Sequence, residues 1–148
     1  EQLLAPFMDM RASIDDHPAL ALQPVLHTFF DEGHFASHIR KQRKLYAERQ
    51  EQLIRALNKE ASGLLSASPH DAGMHLVANI NPLSCLSDQE ISHQAREIGL
   101  AVPALSGYFE GKKSRQGLIL GYAGLTESEI NRDVRRLVGS IDQVKKKV

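Results

Sequence analysis

Several things are scarce in this sequence. It has one cysteine, Cys85, which excludes a disulfide framework and a cysteine-rich zinc site and fits a reducing compartment, so a cytoplasmic protein is expected. It has no excess of either charge: Lys+Arg 18 balances Asp+Glu 18, which disfavours a free-standing nucleic-acid binder needing a basic surplus. No apolar run approaches the roughly 20 residues that span a bilayer, so no membrane partner is expected. There is no G-x-S-x-G elbow, no phosphate loop and no dinucleotide spacing among Gly107 to Gly117. The chain opens at Glu1 with neither methionine nor a signal-like segment, so a piece of a longer polypeptide is expected. What remains is a chain of 148 residues, 42% hydrophobic and 24% charged, enough apolar material for one domain with a real core.

The apolar pattern predicts a helix-rich chain with a small sheet. Residues 2–16 are weakly helical and interrupted by Pro6. Asp16, His17 and Pro18 read as a helix entry, with Pro24 delaying the start and Gly33 as the stop. A long helix over 37–62 follows, with Ser37 as its cap and Ile39, Tyr46, Leu53, Ile54, Leu57 and Ala61 on one stripe. Met74, Leu76, Ala78 and Ile80 alternate with polar or smaller neighbours as in a half-buried strand, and Leu64–Ser68 is its expected hairpin partner. Ser87 with Glu90 forms a capping box for a helix ending at Gly99. Leu100–Val102 reads as a short strand, and Leu118–Ala123, apolar on both faces, as a central one. Thr126 with Glu129 forms a second capping box, opening a helix that buries Ile130, Val134, Leu137, Val138, Ile141 and Val144, with Lys145–Lys147 at its end. This order predicts an α+β fold: a small, mostly antiparallel or mixed sheet with packed helices. One subdomain is expected over 1–148, made of a helical segment 1–36, the long connecting helix 37–62 and a core over 63–144.

Few residues carry the patterns that chemistry needs. His34 and His38 have the spacing of a helical metal pair, but Gly33 and Ser37 put a helix boundary there, and no metal is expected. Cys85 sits in a polar loop with no flanking nucleophile motif. Lys41, Lys44, Lys59, Lys112, Lys113 and Lys145–Lys147 all have polar settings, so no lysine is poised for imine chemistry and no catalytic residue is expected. Arg40, Lys41, Arg43, Lys44 and Arg49 make the long helix basic, which reads as a solvated face. Arg43 falls within the apolar stripe, where an unpaired guanidinium is costly, so a carboxylate or backbone-carbonyl partner is expected for it, or alternatively a bound effector anion.

Four segments together resemble a known family. FDEGHFASHIRKQRKLYAERQEQLIRAL, from Phe30 to Leu57, is similar to the EGHF…HIRRMR…Y…RR…L run of MocR-type transcriptional regulators, a branch of the GntR group. GMHLVANI, AVPALSGYF and GLILGYAGLTESEI follow in that family's order, and the matches span about Gln23 to Ile141. The resemblance implies the C-terminal small subdomain of a fold-type-I aminotransferase-like half. The family's winged-helix DNA reader and pyridoxal phosphate lysine both lie upstream of the matched region. It implies pyridoxal phosphate in the full-length protein but none held by this fragment alone, DNA contact only through the absent winged helix, a missing large subdomain of the same chain as partner, a homodimer when full length, and a small amino-compound effector. Genuine class I aminotransferases resemble this strand as I-R-L-S-F-A, whose arginine pairs with the substrate carboxylate. Aligned to it, LILGYA places Ile119 at the arginine, which disfavours transamination, and Arg115 is the possible substitute. By the same analogy Ser106 and Tyr108 lie near the cofactor mouth. The effector-pocket candidates are therefore Arg43, Ser106, Tyr108 and Arg115. The alternatives are the small domain of a class I/II aminotransferase and a self-contained interaction module.

Overall fold

A computed structural model describes residues 3–14, 20–71, 73–110 and 115–145. The expected helix entry at Asp16–Pro18 and the lysines Lys112, Lys113, Lys146 and Lys147 lie outside the described residues. The described elements are α1 (Leu4–Ile14), α2 (Gln23–Asp31), α3 (His34–Glu60), β1 (Leu65–Ser66), β2 (His75–Ile80), α4 (Asp88–Glu97), β3 (Gly117–Gly121) and α5 (Glu127–Lys145), with short 3-10 turns between some of them. The fold is α+β with an antiparallel sheet, as expected.

By its internal contacts the chain divides within α3 into two units, Glu1–Gln42 and Arg43–Val148. In the first, Pro6 falls in the opening turn of α1 and Pro24 in that of α2, where a missing N–H costs nothing, so neither breaks its helix. Gly33 takes the left-handed conformation (φ 75°) that ends α2, and α3 starts directly after it, three residues before the expected cap at Ser37. Phe29, Phe30 and Phe35 gather with ring centroids 4.7–6.3 Å apart. None of the described residues in this unit is buried.

The second unit holds the core. The sheet order is β1-β2-β3, with Leu65 opposite Ile80 and Leu76 opposite Leu120. Leu76, Ala78, Ile80, Leu118 and Leu120 bury one sheet face, in a cluster with Leu53 and Leu57 of α3, Ile91 and Ala95 of α4, and Ile130, Val134, Leu137 and Ile141 of α5. The Thr126–Glu129 capping box forms in full, and the Ser87–Glu90 one forms by its serine half. The Ser87 hydroxyl accepts from the Glu90 amide, while the Glu129 carboxylate accepts from the Thr126 amide and hydroxyl at 2.7 Å. The same two bonds hold the Glu129 carboxyl below its ordinary pKa.

Two expectations are corrected. Leu100–Val102 is not a strand: the Leu100 amide bonds back to the Ala95 carbonyl, and only Ala104 bridges to Leu118, beside a bond from the Ile119 amide to the Pro103 carbonyl. β3 is therefore an outer strand and β2 the central one. Its apolar character on both faces has another cause. Leu105 covers the start of its second face, where a Cβ on Gly117 would lie 3.1 Å from the leucine side chain and 3.0 Å from the Ala78 carbonyl oxygen.

Candidate functional site

Alternation along β2 and β3 leaves a second sheet face away from the core. His75, Val77 and Asn79 of β2 stand on it, and across the ladder from them lie Gly121, Ile119 and Gly117. Val77 and Ile119 are half-buried cross-strand partners, so the middle of the face is aliphatic. Arg115, exposed, lies at one end and donates from its guanidinium to the Asn79 side-chain oxygen at 2.7 Å. His75 is exposed at the other end. A guanidinium fixed by a neutral acceptor keeps donors free for a carboxylate or phosphate, whereas the aliphatic centre offers an anion nothing.

The segment joining α4 to β3 is anchored by a residue that sequence reasoning missed. Asp88, the first residue of α4, is fully buried, and its carboxylate accepts from the Ser106 amide and hydroxyl and from the Gly117 amide. Acidic residues are common in a first helical turn, so its identity gives no sign of burial. Ser106 is correspondingly buried at 1% exposure, and its hydroxyl is spent on Asp88 and on Gln89 at 3.3 Å. Tyr108, two residues on, is 70% exposed.

Arg43 lies elsewhere, on a groove shared with Tyr46, Gln50, His70, Met74 and Tyr122. Here the expectation of a partner fails: Arg43 is exposed, and no carboxylate or carbonyl among the described residues pairs with it. The cause is that no residue of α3 before Leu53 is buried, so the stripe has no core to enter at Arg43. The groove is built by Gln50 and Tyr122, both unforeseen as partners. Gln50 donates to the Tyr122 hydroxyl and to the His70 carbonyl, each at 3.0 Å, and the Tyr122 hydroxyl donates to the Gly73 carbonyl at 2.9 Å. Ser106, Tyr108 and Arg115 thus belong to the stretch of chain between α4 and β3, and Arg43 to a separate groove.

No group of three or more metal-ligating side chains is found among the described residues. His34 and His38 are exposed, and His34 contacts Glu32 at 3.0 Å. Cys85 is exposed after a 3-10 turn. The described lysines, Lys41, Lys44, Lys59 and Lys145, are all exposed on helices, so the described residues do not by themselves fit an imine-forming pyridoxal phosphate site. What the described residues offer here is the exposed Arg115 guanidinium beside an aliphatic face.

No family model matches the chain. It is 34% identical over 136 residues to the probable rhizopine catabolism regulatory protein MocR of Rhizobium meliloti, covering 92% of this chain and 27% of that protein. It is 23% identical over 128 residues to the uncharacterized HTH-type transcriptional regulator YhdI of Bacillus subtilis (strain 168), covering 86% of this chain and 26% of that one. Among solved structures, the α-aminoadipate aminotransferase LysN of Thermus thermophilus, crystallised with N-(5'-phosphopyridoxyl)-L-leucine, superposes over 99% of this chain and 37% of its own with a TM-score of 0.77 at 23% identity. The chain spans about a quarter of the length of the curated relatives it matches. It is homologous to a stretch of the MocR-type helix-turn-helix regulators and has a fold that aminotransferases share.

Proposed function

We propose that the chain is the effector- and cofactor-sensing part of a pyridoxal-phosphate-dependent transcriptional regulator, and not part of a working transaminase. The observation that carries this reading is the Ile119–Val77 pair on the open sheet face. Where a class I aminotransferase would present an arginine to the substrate carboxylate, two aliphatic side chains meet, and they cannot hold that group. The identity to a curated MocR protein supports the regulator side of the choice.

In this reading the cofactor lysine and the winged-helix DNA reader lie in parts of the polypeptide beyond this chain, and the intact protein is a cytoplasmic homodimer. Pyridoxal phosphate, held by the part of the polypeptide beyond this chain, would supply carbonyl chemistry toward an amine-bearing effector. Arg115 at the open face and the exposed Tyr108 contact the effector, Ser106 holds the turn before Tyr108 in place, and Arg43 meets the large subdomain or an anion on its own groove. The ligand shifts the balance between two arrangements of the subdomains, which requires that it bind one of them more tightly. The long helix α3 couples the two.

The test uses the intact protein. Expected are a visible absorption band with pyridoxal phosphate, operator binding altered by small amino compounds, and no turnover when amino acid and keto acid are supplied together. Steady transamination would overturn the reading in favour of the alternative, an aminotransferase small domain, which the superposition on LysN supports at the level of fold.

A further inference from the structure

The buried carboxylate of Asp88 has a geometry that local helix capping does not need. Its Oδ2 accepts from the Ser106 amide at 2.8 Å and from the Gly117 amide at 3.2 Å, while its Oδ1 accepts from the Ser106 hydroxyl at 2.7 Å. Those two amides flank residues 107–116. The Asp88 amide in turn donates at 2.8 Å to the side-chain oxygen of Gln116, the last residue of that segment. Both ends of the segment are thus tied to one residue at the start of α4. A carboxylate is suited to this place, because its charge is met by three donors and by the positive end of the helix.

We propose that Asp88 is a positioning residue, a latch that holds Ser106 to Gly117 and thereby fixes where Tyr108 and Arg115 stand. Arg115 leaves the latched end next to Gln116, and its guanidinium is tied again to Asn79, so a neutral contact and a buried charge together set its direction. The consequence for ligand response rests on the effector reading above; the latch itself is a property of the fold and is tested without any ligand.

The experiment is amide hydrogen exchange of the intact protein, read on peptides covering 104–110, 115–119 and α5. Asp88→Asn keeps one acceptor oxygen for the two backbone amides, but it removes the negative charge and sets an NH2 group against the Ser106 hydroxyl in place of an acceptor. Exchange in 104–110 and 115–119 is expected to accelerate by at least about tenfold, the factor that follows from losing one charge-assisted hydrogen bond, with α5 unchanged. Unchanged exchange in the two loop peptides overturns the proposal. So does equal acceleration in α5, which would make Asp88 a general support of the core. Should Asp88→Asn fail to fold, Ser106→Ala decides, since it keeps both amide bonds and removes only the hydroxyl. Faster exchange confined to 104–110 then supports the latch, and unchanged exchange overturns it. If the intact protein proves to be a transaminase, this exchange pattern stands unaffected, so the two failures are distinguishable.

Discussion

Residues 3–42 and residues 43–145 both carry many large apolar side chains, and they use them in opposite ways. In the second unit Leu57, Leu76, Ile91, Leu118 and Ile141 have no exposed surface. In the first, Leu4, Phe7, Leu26 and Phe30 are each more than half exposed. α1 and α2 are helices that bury no side chain, whereas α3 buries Leu53, Ala56 and Leu57 against the core that the sheet, α4 and α5 provide. Exposed apolar surface of this extent marks a place where something else packs. In the function proposed above, what covers this surface is the large subdomain.

Substitutions in each unit test how differently the two are held. Leu57→Ala, at the centre of the core, is expected to cost about 2–5 kcal/mol in urea unfolding, and a loss below about 0.5 kcal/mol would mean that the second unit is not the stable one. Gly117→Ala presses a methyl on the Ala78 carbonyl and is expected to cost about 1–3 kcal/mol. Ser87→Ala removes the cap of α4 and should cost about 0.5–2 kcal/mol by the same assay.

Acid gives a smaller effect. The hydrogen bond from Arg132, with a further one from Arg136, holds the Asp133 carboxyl below its ordinary pKa. A carboxylate whose pKa falls on folding stabilises the fold above its unfolded pKa, and that contribution is lost as pH falls through the folded value. Asp133→Asn should therefore lower the thermal midpoint slightly at neutral pH and leave it unchanged in strong acid. Smallest of all, Phe29→Ser in the first unit is expected to change stability by no more than about 0.5 kcal/mol, while reducing any self-association seen by light scattering. A loss as large as that of Leu57→Ala would erase the contrast between the units.

Much of this fold is legible in the sequence because its signals are local. Ser87 with Glu90, Thr126 with Glu129, the alternation from Leu76 to Ile80 and the stop at Gly33 each act within a few residues. What stays hidden depends on distant partners. Asp88 is defined by Ser106 and Gly117, 18 and 29 positions away. Arg43 escapes prediction because a stripe on a helix says which side is apolar, not how far along the core extends. β3 reads as central because Leu105 and Pro103 cover it in place of a further strand. Of the site, the stretch bearing Ser106, Tyr108 and Arg115 is visible as chemistry, and its anchorage is not.

β1 is a strand of 2 residues. That margin of the sheet offers only two rungs, Leu65 and Ser66, and the opposite margin is partly occupied by Pro103 and Ala104. Neither is a good template for a stray strand from another molecule. Whatever stickiness the phenylalanines of the first unit confer, fibril-like stacking through backbone pairing has little to grow from, so clustering of this chain should remain a greasy, detergent-reversible affair.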